Sequence, residues 1–183
     1  MKEFGRYLSV IITPFHEDLT INYDSMRKVA RHMIDGGVEG LIVAATGGES
    51  ATMKLEERIA LTRFMKKEFG NEVPIIVGTG TNNTENSIAT TKAIEEAGAD
   101  GVLLVSPYYN KPNQEGLYQH FKSIAESTAL PVLLYNVPGR TGVSIQPATV
   151  ARLAQVPNIV GMKDAAGNMD NLTQLLRTVP EQF

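Results

Sequence analysis

Val102-Leu103-Leu104-Val105-Ser106-Pro107-Tyr108-Tyr109 is the stretch that decides the fold: an unbroken apolar run that stops at polar, turn-forming residues. A half-solvated strand alternates apolar with polar side chains. A run without alternation is covered on both faces, as parallel strands between helices are. The same pattern recurs in Val10-Ile11-Ile12, Leu41-Ile42-Val43, Ile75-Ile76-Val77, Val132-Leu133-Leu134 and Ile159-Val160. These runs begin about 30 residues apart, which leaves room for a strand, a loop and a crossover helix.

The intervening segments carry helical spacing. Residues 22–35 place Met26, Val29, Ala30, Met33 and Ile34 three and four apart, and Gly36-Gly37 stops them. Helices are expected over 56–69 before Gly70, over 83–97 before Gly98, and over 113–128 with Leu117, Phe121 and Ile124 inward. Pro147 suits the first turn of a helix through Leu153. Asn168 or Asp170 opens the last helix, which holds Leu172, Leu175 and Leu176. No linker or low-complexity tract interrupts the series, so residues 1–183 read as one run of six βα units.

Six such units fit either a doubly wound sheet or a (β/α)8 barrel. The residues just beyond each strand decide between them. Thr13-Pro14, Thr46-Gly47-Gly48-Glu49, Gly78-Thr79-Gly80, Ser106-Pro107-Tyr108-Tyr109, Tyr135-Asn136 and Lys163-Asp164 are all polar and unusual. In a barrel every strand end reaches one functional face, whereas in an open sheet only those near the switch point meet. The barrel is the expectation. Six units do not close one, and the chain stops at Glu181-Gln182-Phe183, where a seventh strand would begin. Strands seven and eight and any C-terminal helical region are therefore expected to be absent from this chain. β-Strands left open at both sides would favour self-association.

Composition narrows the function. The 183 residues carry 17 Lys+Arg against 20 Asp+Glu, a net charge of −3, with 43% hydrophobic residues. No cysteine is present, which removes disulfides, thiolate metal sites and cysteine nucleophiles. The imidazoles are His16, His32 and His120 alone. A mildly acidic chain with scattered bases is a poor nucleic-acid binder. No apolar run approaches the roughly 20 residues of a membrane span, and Met1–Ile11 lacks the pattern of a signal peptide. The expectation is a cytoplasmic α/β enzyme.

Lys163 is the most informative residue. Lys28, Lys66, Lys67, Lys92 and Lys122 fall on polar helix faces or turns, but Lys163 comes directly after Ile159-Val160-Gly161-Met162. An amine leaving a strand end into a barrel mouth is desolvated, which lowers its pKa as imine formation requires. The other reading is an ion pair with Asp164. Tyr135 ends its own strand one unit earlier, at matching depth, and a phenol beside an imine-forming lysine can shuttle protons; a packed ring is the alternative. Thr46-Gly47-Gly48-Glu49-Ser50 is a turn whose N–H groups could cradle a carboxylate, or simply a strand-to-helix turn. Gly78-Thr79-Gly80-Thr81-Asn82 lacks both the Walker lysine and dinucleotide spacing. Arg140, on the loop after Tyr135, could take a carboxylate in bidentate fashion or stand in solvent. Tyr108-Tyr109 suits rim packing or an interface.

Taken together, Thr46-Gly-Gly-Glu-Ser, Ser106-Pro-Tyr-Tyr-Asn-Lys-Pro112, Tyr135-Asn-Val-Pro-Gly-Arg-Thr-Gly142 and Gly161-Met-Lys-Asp-Ala165 resemble the dihydrodipicolinate synthase/N-acetylneuraminate lyase family. The resemblance runs from about Tyr7 to the end. Ser-Pro-Tyr-Tyr-Asn-Lys-Pro and the arginine of Pro-Gly-Arg-Thr-Gly are similar to the synthase branch rather than to the sialic acid lyases. The resemblance implies a (β/α)8 class I aldolase, with no cofactor or metal, that condenses pyruvate with aspartate semialdehyde. It implies Lys163 as the Schiff-base nucleophile and Tyr135, Thr46 and Tyr109 as the proton relay, Tyr109 being lent across a subunit interface of a homo-oligomer. Arg140 would hold the semialdehyde carboxylate, and Gly47, with Thr46, the pyruvate carboxylate.

One departure stands out: Gly47 occupies the place of the family's usual second threonine, so one hydroxyl is missing there. Two other readings remain open at this point, a different pyruvate-dependent aldolase acting on sugar acids, and a catalytically silent folding or assembly module.

Overall fold

Isoleucine, valine and leucine fill the strands of the computed structural model, which describes residues 4–181 and 183. The elements alternate in sequence order: β1 (Leu8–Val10), α1 (Tyr23–Asp35), β2 (Gly40–Val43), α2 (Leu55–Phe69), β3 (Ile75–Gly78), α3 (Thr84–Glu96), β4 (Gly101–Val105) and α4 (Gln114–Ala125). Then come β5 (Val132–Asn136), α5 (Pro138–Thr141), α6 (Pro147–Leu153), β6 (Ile159–Asp164) and α7 (Met169–Thr178). Two 3-10 turns, Thr46–Gly48 and Ser50–Thr52, lie between β2 and α2. The strands make one sheet in the order β1-β2-β3-β4-β5-β6. A doubly wound sheet reverses its order at a switch point; this one does not, and it has the sequential order of a (β/α) barrel.

The chain divides into two compact units. One comprises the residues up to Thr79 with Ala93–Val102, the other Gly80–Lys92 with Leu103 onward. In the first, β1 pairs in parallel with β2 and β2 with β3. Leu41, Val43, Ile75, Ile76 and Val77 are fully buried, each contributing on the order of 1.5–3 kcal/mol. Helices α1 and α2 are laced on their outer side by Arg27 to Glu68 (2.8 Å) and Arg31 to Glu72 (2.7 Å). Lys66, expected from the sequence to be a solvated helix-face lysine, instead donates to Asp100 Oδ2 (2.6 Å), which also accepts from Ile75 N–H (2.8 Å). That carboxylate fixes the start of β3.

In the second unit β5 and β6 pair in parallel. Leu117, Phe121 and Ile124 of α4 are fully buried, as their spacing predicts. Asn158 Nδ2 donates to the carbonyls of Ala125, Thr128 and Leu130 (2.8, 3.1 and 3.1 Å), closing the connection from α4 to β5.

The helix starts obey the expected chemistry. Asn22, Asn113 and Asn168 each cap a helix by accepting from the backbone N–H three residues on. Strand ends differ more. β1 lies at Leu8–Val10 rather than 10–12: Ile11 N–H still bonds Ile42 O (3.0 Å), but Ile12, where the apolar run continues, is 56% exposed. β5 and β6 run on through Tyr135-Asn136 and Lys163-Asp164, which the apolar pattern alone places just beyond the strands. Polar side chains hide the fact that the ladder continues.

Candidate functional site

β5 and β6 are in register where it matters: Tyr135 lies opposite Lys163, and Asn136 opposite Asp164. Successive strand residues face opposite sides of the sheet. Tyr135 and Lys163 therefore share one face, and Asn136 and Asp164 the other. Lys163 Nζ sits over the Tyr135 ring, 4.4 Å from its centroid. The contact is with the ring face. A cation gains from that face, but half-burial of the side chain outweighs it and holds the Lys163 amine below its ordinary pKa. Asp164 does not pair with Lys163, because it points away and accepts from Asn136 Nδ2 at 2.8 Å. The ion-pair reading of Lys163 is thereby set aside.

Tyr135 is 6% exposed. Its carbonyl accepts from Ser106 N–H (3.1 Å) and from the Ser106 hydroxyl (3.3 Å), so β4 and its outgoing turn hold it in place. Arg140 does not lie in an open loop: it stands exposed in the one-turn helix α5, directly after β5. Pro138 opens that turn and Gly142, at φ 72°, ends it in the left-handed region. The Lys111 side chain covers Gly142; a Cβ there would stand 2.7 Å from Lys111 Cε.

Tyr109 is 90% exposed. Asn110 N–H donates to Tyr108 O (2.9 Å), closing a γ-turn with Tyr109 at its centre and φ 74°. That hand of γ-turn is strained for any residue but glycine, and Lys111 comes next at φ 43°. A bulky exposed ring held in so costly a conformation marks a segment shaped for something other than stability.

Thr46 and Gly47 belong to the first unit. Both are exposed and open the 3-10 turn after β2. The turn is locked from behind: Thr13 Oγ1 donates to Gly48 O (2.7 Å), and Ser50 N–H to Ala45 O (3.2 Å). Glu49 takes φ 59° between the two turns, with no capping hydrogen bond from its side chain. Arg58 donates to the Ser50 carbonyl. Asn136 and Ser106, which hold the site's backbone, stand among the polar strand-end residues of the sequence, but the pattern gives neither a role. The one available signal is a parallel: Asn136 comes after Tyr135 as Asp164 comes after Lys163.

His16 and His32 are exposed, while His120 is buried. Among the described residues no three His, Asp, Glu or Cys side chains gather as a metal site. No helix among them is long and apolar enough to cross a membrane.

Sequential βα units whose strands keep the chain's order, with a partly desolvated lysine near the end of strand six set against a tyrosine from strand five, define a protein of the (β/α)-barrel type. Residues 3–183 match the model of the dihydrodipicolinate synthetase family, and the chain belongs to that family. It is 50% identical over 182 residues to 4-hydroxy-tetrahydrodipicolinate synthase of Desulforamulus reducens, an alignment that takes in 99% of this chain and 62% of that protein. The crystal structure of a dihydrodipicolinate synthase from Bacillus anthracis superposes with a TM-score of 0.97 at 46% identity, covering 100% of this chain and 63% of that one. A dihydrodipicolinate synthase from Acinetobacter baumannii, solved in complex with pyruvate, gives 0.92 at 43% identity over 96% of this chain and 60% of that one. The chain thus spans about 62% of the length of the curated relatives it matches.

Proposed function

We propose that this chain carries the pyruvate-activating part of a 4-hydroxy-tetrahydrodipicolinate synthase, a cytoplasmic lyase of lysine and diaminopimelate biosynthesis. The observation that carries the reading is the Lys163 amine, half-buried over the Tyr135 ring in register on adjacent strands. A solvated lysine is protonated near neutral pH and does not attack a ketone; desolvation raises the fraction of free amine.

The reaction begins when Lys163 Nζ adds to C2 of pyruvate, and loss of water from the carbinolamine gives an iminium. Loss of a C3 proton makes an enamine, whose C3 attacks the aldehyde carbon of L-aspartate 4-semialdehyde. The semialdehyde's own amine attacks C2, displaces Lys163 and closes the ring, which releases the heterocycle and the free enzyme. Each proton transfer calls for a positioned acid or base, a task for Tyr135, whose ring the amine overlies, together with the hydroxyls of Thr46 and Tyr109. Arg140 receives the semialdehyde carboxylate, and Thr46 with the Gly47 N–H the pyruvate carboxylate. The exposed, strained Tyr109 suits a ring lent to a second copy, so the working form is a homo-oligomer built on the barrel to which these six βα units belong.

Borohydride reduction in the presence of pyruvate tests the reading. A stable adduct should map to Lys163 and vanish in Lys163→Ala. An adduct on Lys54 or Lys111, or none at saturating pyruvate, would overturn it.

A further inference from the structure

Asn136 lies on the face of β5 away from the reacting amine and is 3% exposed. Its amide is used at both ends. Nδ2 donates to Asp164 Oδ1 at 2.8 Å, and Oδ1 accepts from Ile145 N–H at 3.0 Å. Nδ2 also lies 3.5 Å from Ser144 Oγ. Its backbone carbonyl accepts from Ala165 N–H at 2.8 Å, which carries the β5–β6 ladder past Lys163. One side chain therefore joins three pieces: the end of β5 just after Tyr135, the end of β6 just after Lys163, and the far end of the loop that carries Arg140.

That loop, 137–144, leaves β5 at Asn136 and returns to it at Ile145, which is also 3% exposed. The bond from Ile145 N–H to Asn136 Oδ1 closes the loop at its base. Inside it, Arg140 N–H donates to Val137 O (2.9 Å), and Thr141 Oγ1 donates to Val143 O (2.9 Å), so the turn moves as a piece. The cavity beside Asn136, lined with Ile145, Met162, Asp164, Asn171 and Leu172, holds about 10 Å³, no more than one water. Substrate does not reach it there.

Resting on the function proposed above, we infer that Asn136 is a positioning residue that fixes the Arg140 turn against the strand pair of Tyr135 and Lys163. It thereby sets affinity for the carboxylate that Arg140 receives and leaves that for the ketone unchanged. An amide is the group this geometry needs. A carboxylate in its place keeps the acceptor for Ile145 but faces Asp164 with a like charge; leucine removes both bonds and leaves buried polar groups unpaired. The competing anchor is Gln114 of α4, which donates to Ser144 O (2.8 Å) and accepts from Gln146 N–H (3.0 Å) and Thr149 Oγ1 (2.7 Å).

The test uses the full chain as wild type, Asn136→Asp and Asn136→Leu. Two affinities are read: the pyruvate concentration giving half-maximal borohydride trapping at Lys163, and the aspartate semialdehyde concentration that halves phenylglyoxal modification of Arg140 on the trapped protein. Amide hydrogen exchange over 137–145 reports the loop. The expected result is a pyruvate value within threefold of wild type, a semialdehyde value raised at least tenfold, and loop exchange faster by tenfold or more. Asn136→Asp retains the size and one bond, so it keeps the measurement available if Asn136→Leu does not fold. Variants that match wild type in semialdehyde protection would overturn the inference and leave Gln114 as the anchor. Equal loss of both affinities would overturn it too, by making Asn136 a general fold residue. A wild type that traps pyruvate but gains no protection of Arg140 would instead sink the carboxylate role of Arg140, and this inference with it.

Discussion

Lys163 and Lys66 are both half-buried, yet their surroundings give them opposite work. Lys66 meets Asp100 at 2.6 Å in an ion pair, whereas Lys163 meets an aromatic face and loses solvent. The trapping rate at Lys163 should rise with pH and level off below 10.5, the ordinary lysine value, as the free amine becomes fully populated. A profile still climbing through 10.5, tracked by mass spectrometry of the reduced adduct, would contradict the desolvation argument. Tyr135→Phe keeps the ring beneath the amine and removes only the hydroxyl. It should slow adduct formation by roughly 10²–10⁴-fold, the contribution of a positioned acid or base, without moving that pH plateau. An unchanged rate takes Tyr135 out of the relay. The placement of Lys163 and Tyr135 at equal depth on neighbouring strands is legible from residue type and strand position, and the register bears it out. What the sequence hid was the partner of each group: nothing in Lys163-Asp164 says that Asp164 bonds Asn136, because side chains that alternate across a sheet are read in register with a neighbouring strand. Leu19 was also silent in the sequence. It sits at φ 68° and 77% exposed, at the corner of the hairpin bridged by Phe15 and Ile21. A left-handed leucine costs about 1–2 kcal/mol and buries little in return. Leu19→Gly should therefore stabilise the fold by about 1 kcal/mol after the glycine's own chain entropy is allowed for, a gain that urea titration would register and that its absence would refute.

Elements are more legible than their ends. Helix positions come from periodicity and asparagine caps, because both are local signals written within one turn. The short helix α5 and the two 3-10 turns escape such a reading because Pro138-Gly139-Arg140-Thr141 and Thr46-Gly47-Gly48 have no apolar period; their conformations come from contacts made elsewhere. Gly78 is such a case. A Cβ there would stand 2.2 Å from the Ala44 carbonyl oxygen and 3.1 Å from Ala45 Cα, so the glycine lets β3 pass close beneath the turn that bears Thr46. The obstacle is backbone rather than a flexible side chain. Gly78→Ala must push that turn away, at a cost of about 3 kcal/mol, which places it among the severe substitutions. Chemical denaturation should reveal the loss. A variant within about 0.5 kcal/mol of wild type, the size of an ordinary surface change, would show that the turn yields freely.

Proton binding sums over the whole molecule and divides its acid unfolding into two parts with different causes. His120 joins α4 to Thr84 at the start of α3, its Nδ1 lying 2.9 Å from the Thr84 hydroxyl, while Nε2 is buried without a partner. Burial pushes its pKa down from 6.5 to about 4. A base whose folded pKa is depressed binds its proton more readily when unfolded, so stability is intact above 6.5 and falls as the pH drops toward 4, by up to about 3 kcal/mol. Glu39, Glu68, Glu72, Glu115 and Asp18 act lower on the scale. Each is held below its ordinary pKa: Glu39 by the Tyr7 and Arg6 N–H groups, Glu68 by Arg27, Glu72 by Arg31, Glu115 by Arg152 and Asp18 by Thr20. What these carboxylates contribute is present above their unfolded values of about 4 to 4.5 and is lost as the pH falls through the lowered folded ones. Protonating the 20 acidic side chains also leaves 17 Lys+Arg and 3 His unopposed, so self-repulsion adds to the lower part alone. The two parts should respond differently to salt. Desolvation of His120 is insensitive to screening, whereas exposed pairs and net repulsion are screened within about 10 Å at 0.1 M salt. Denaturation midpoints measured from about pH 7 to pH 3, the span in which these groups titrate, should therefore fall in two stages. His120→Gln, which does not titrate and can still bond Thr84, should remove the upper stage and leave the lower one, while salt at about 1 M should leave the upper stage and shrink the lower one to the part held by the hydrogen bonds of Glu39 and Asp18. An upper stage that persists in His120→Gln would mean that some other group takes up the first proton, and the buried imidazole would lose its place in the acid limb.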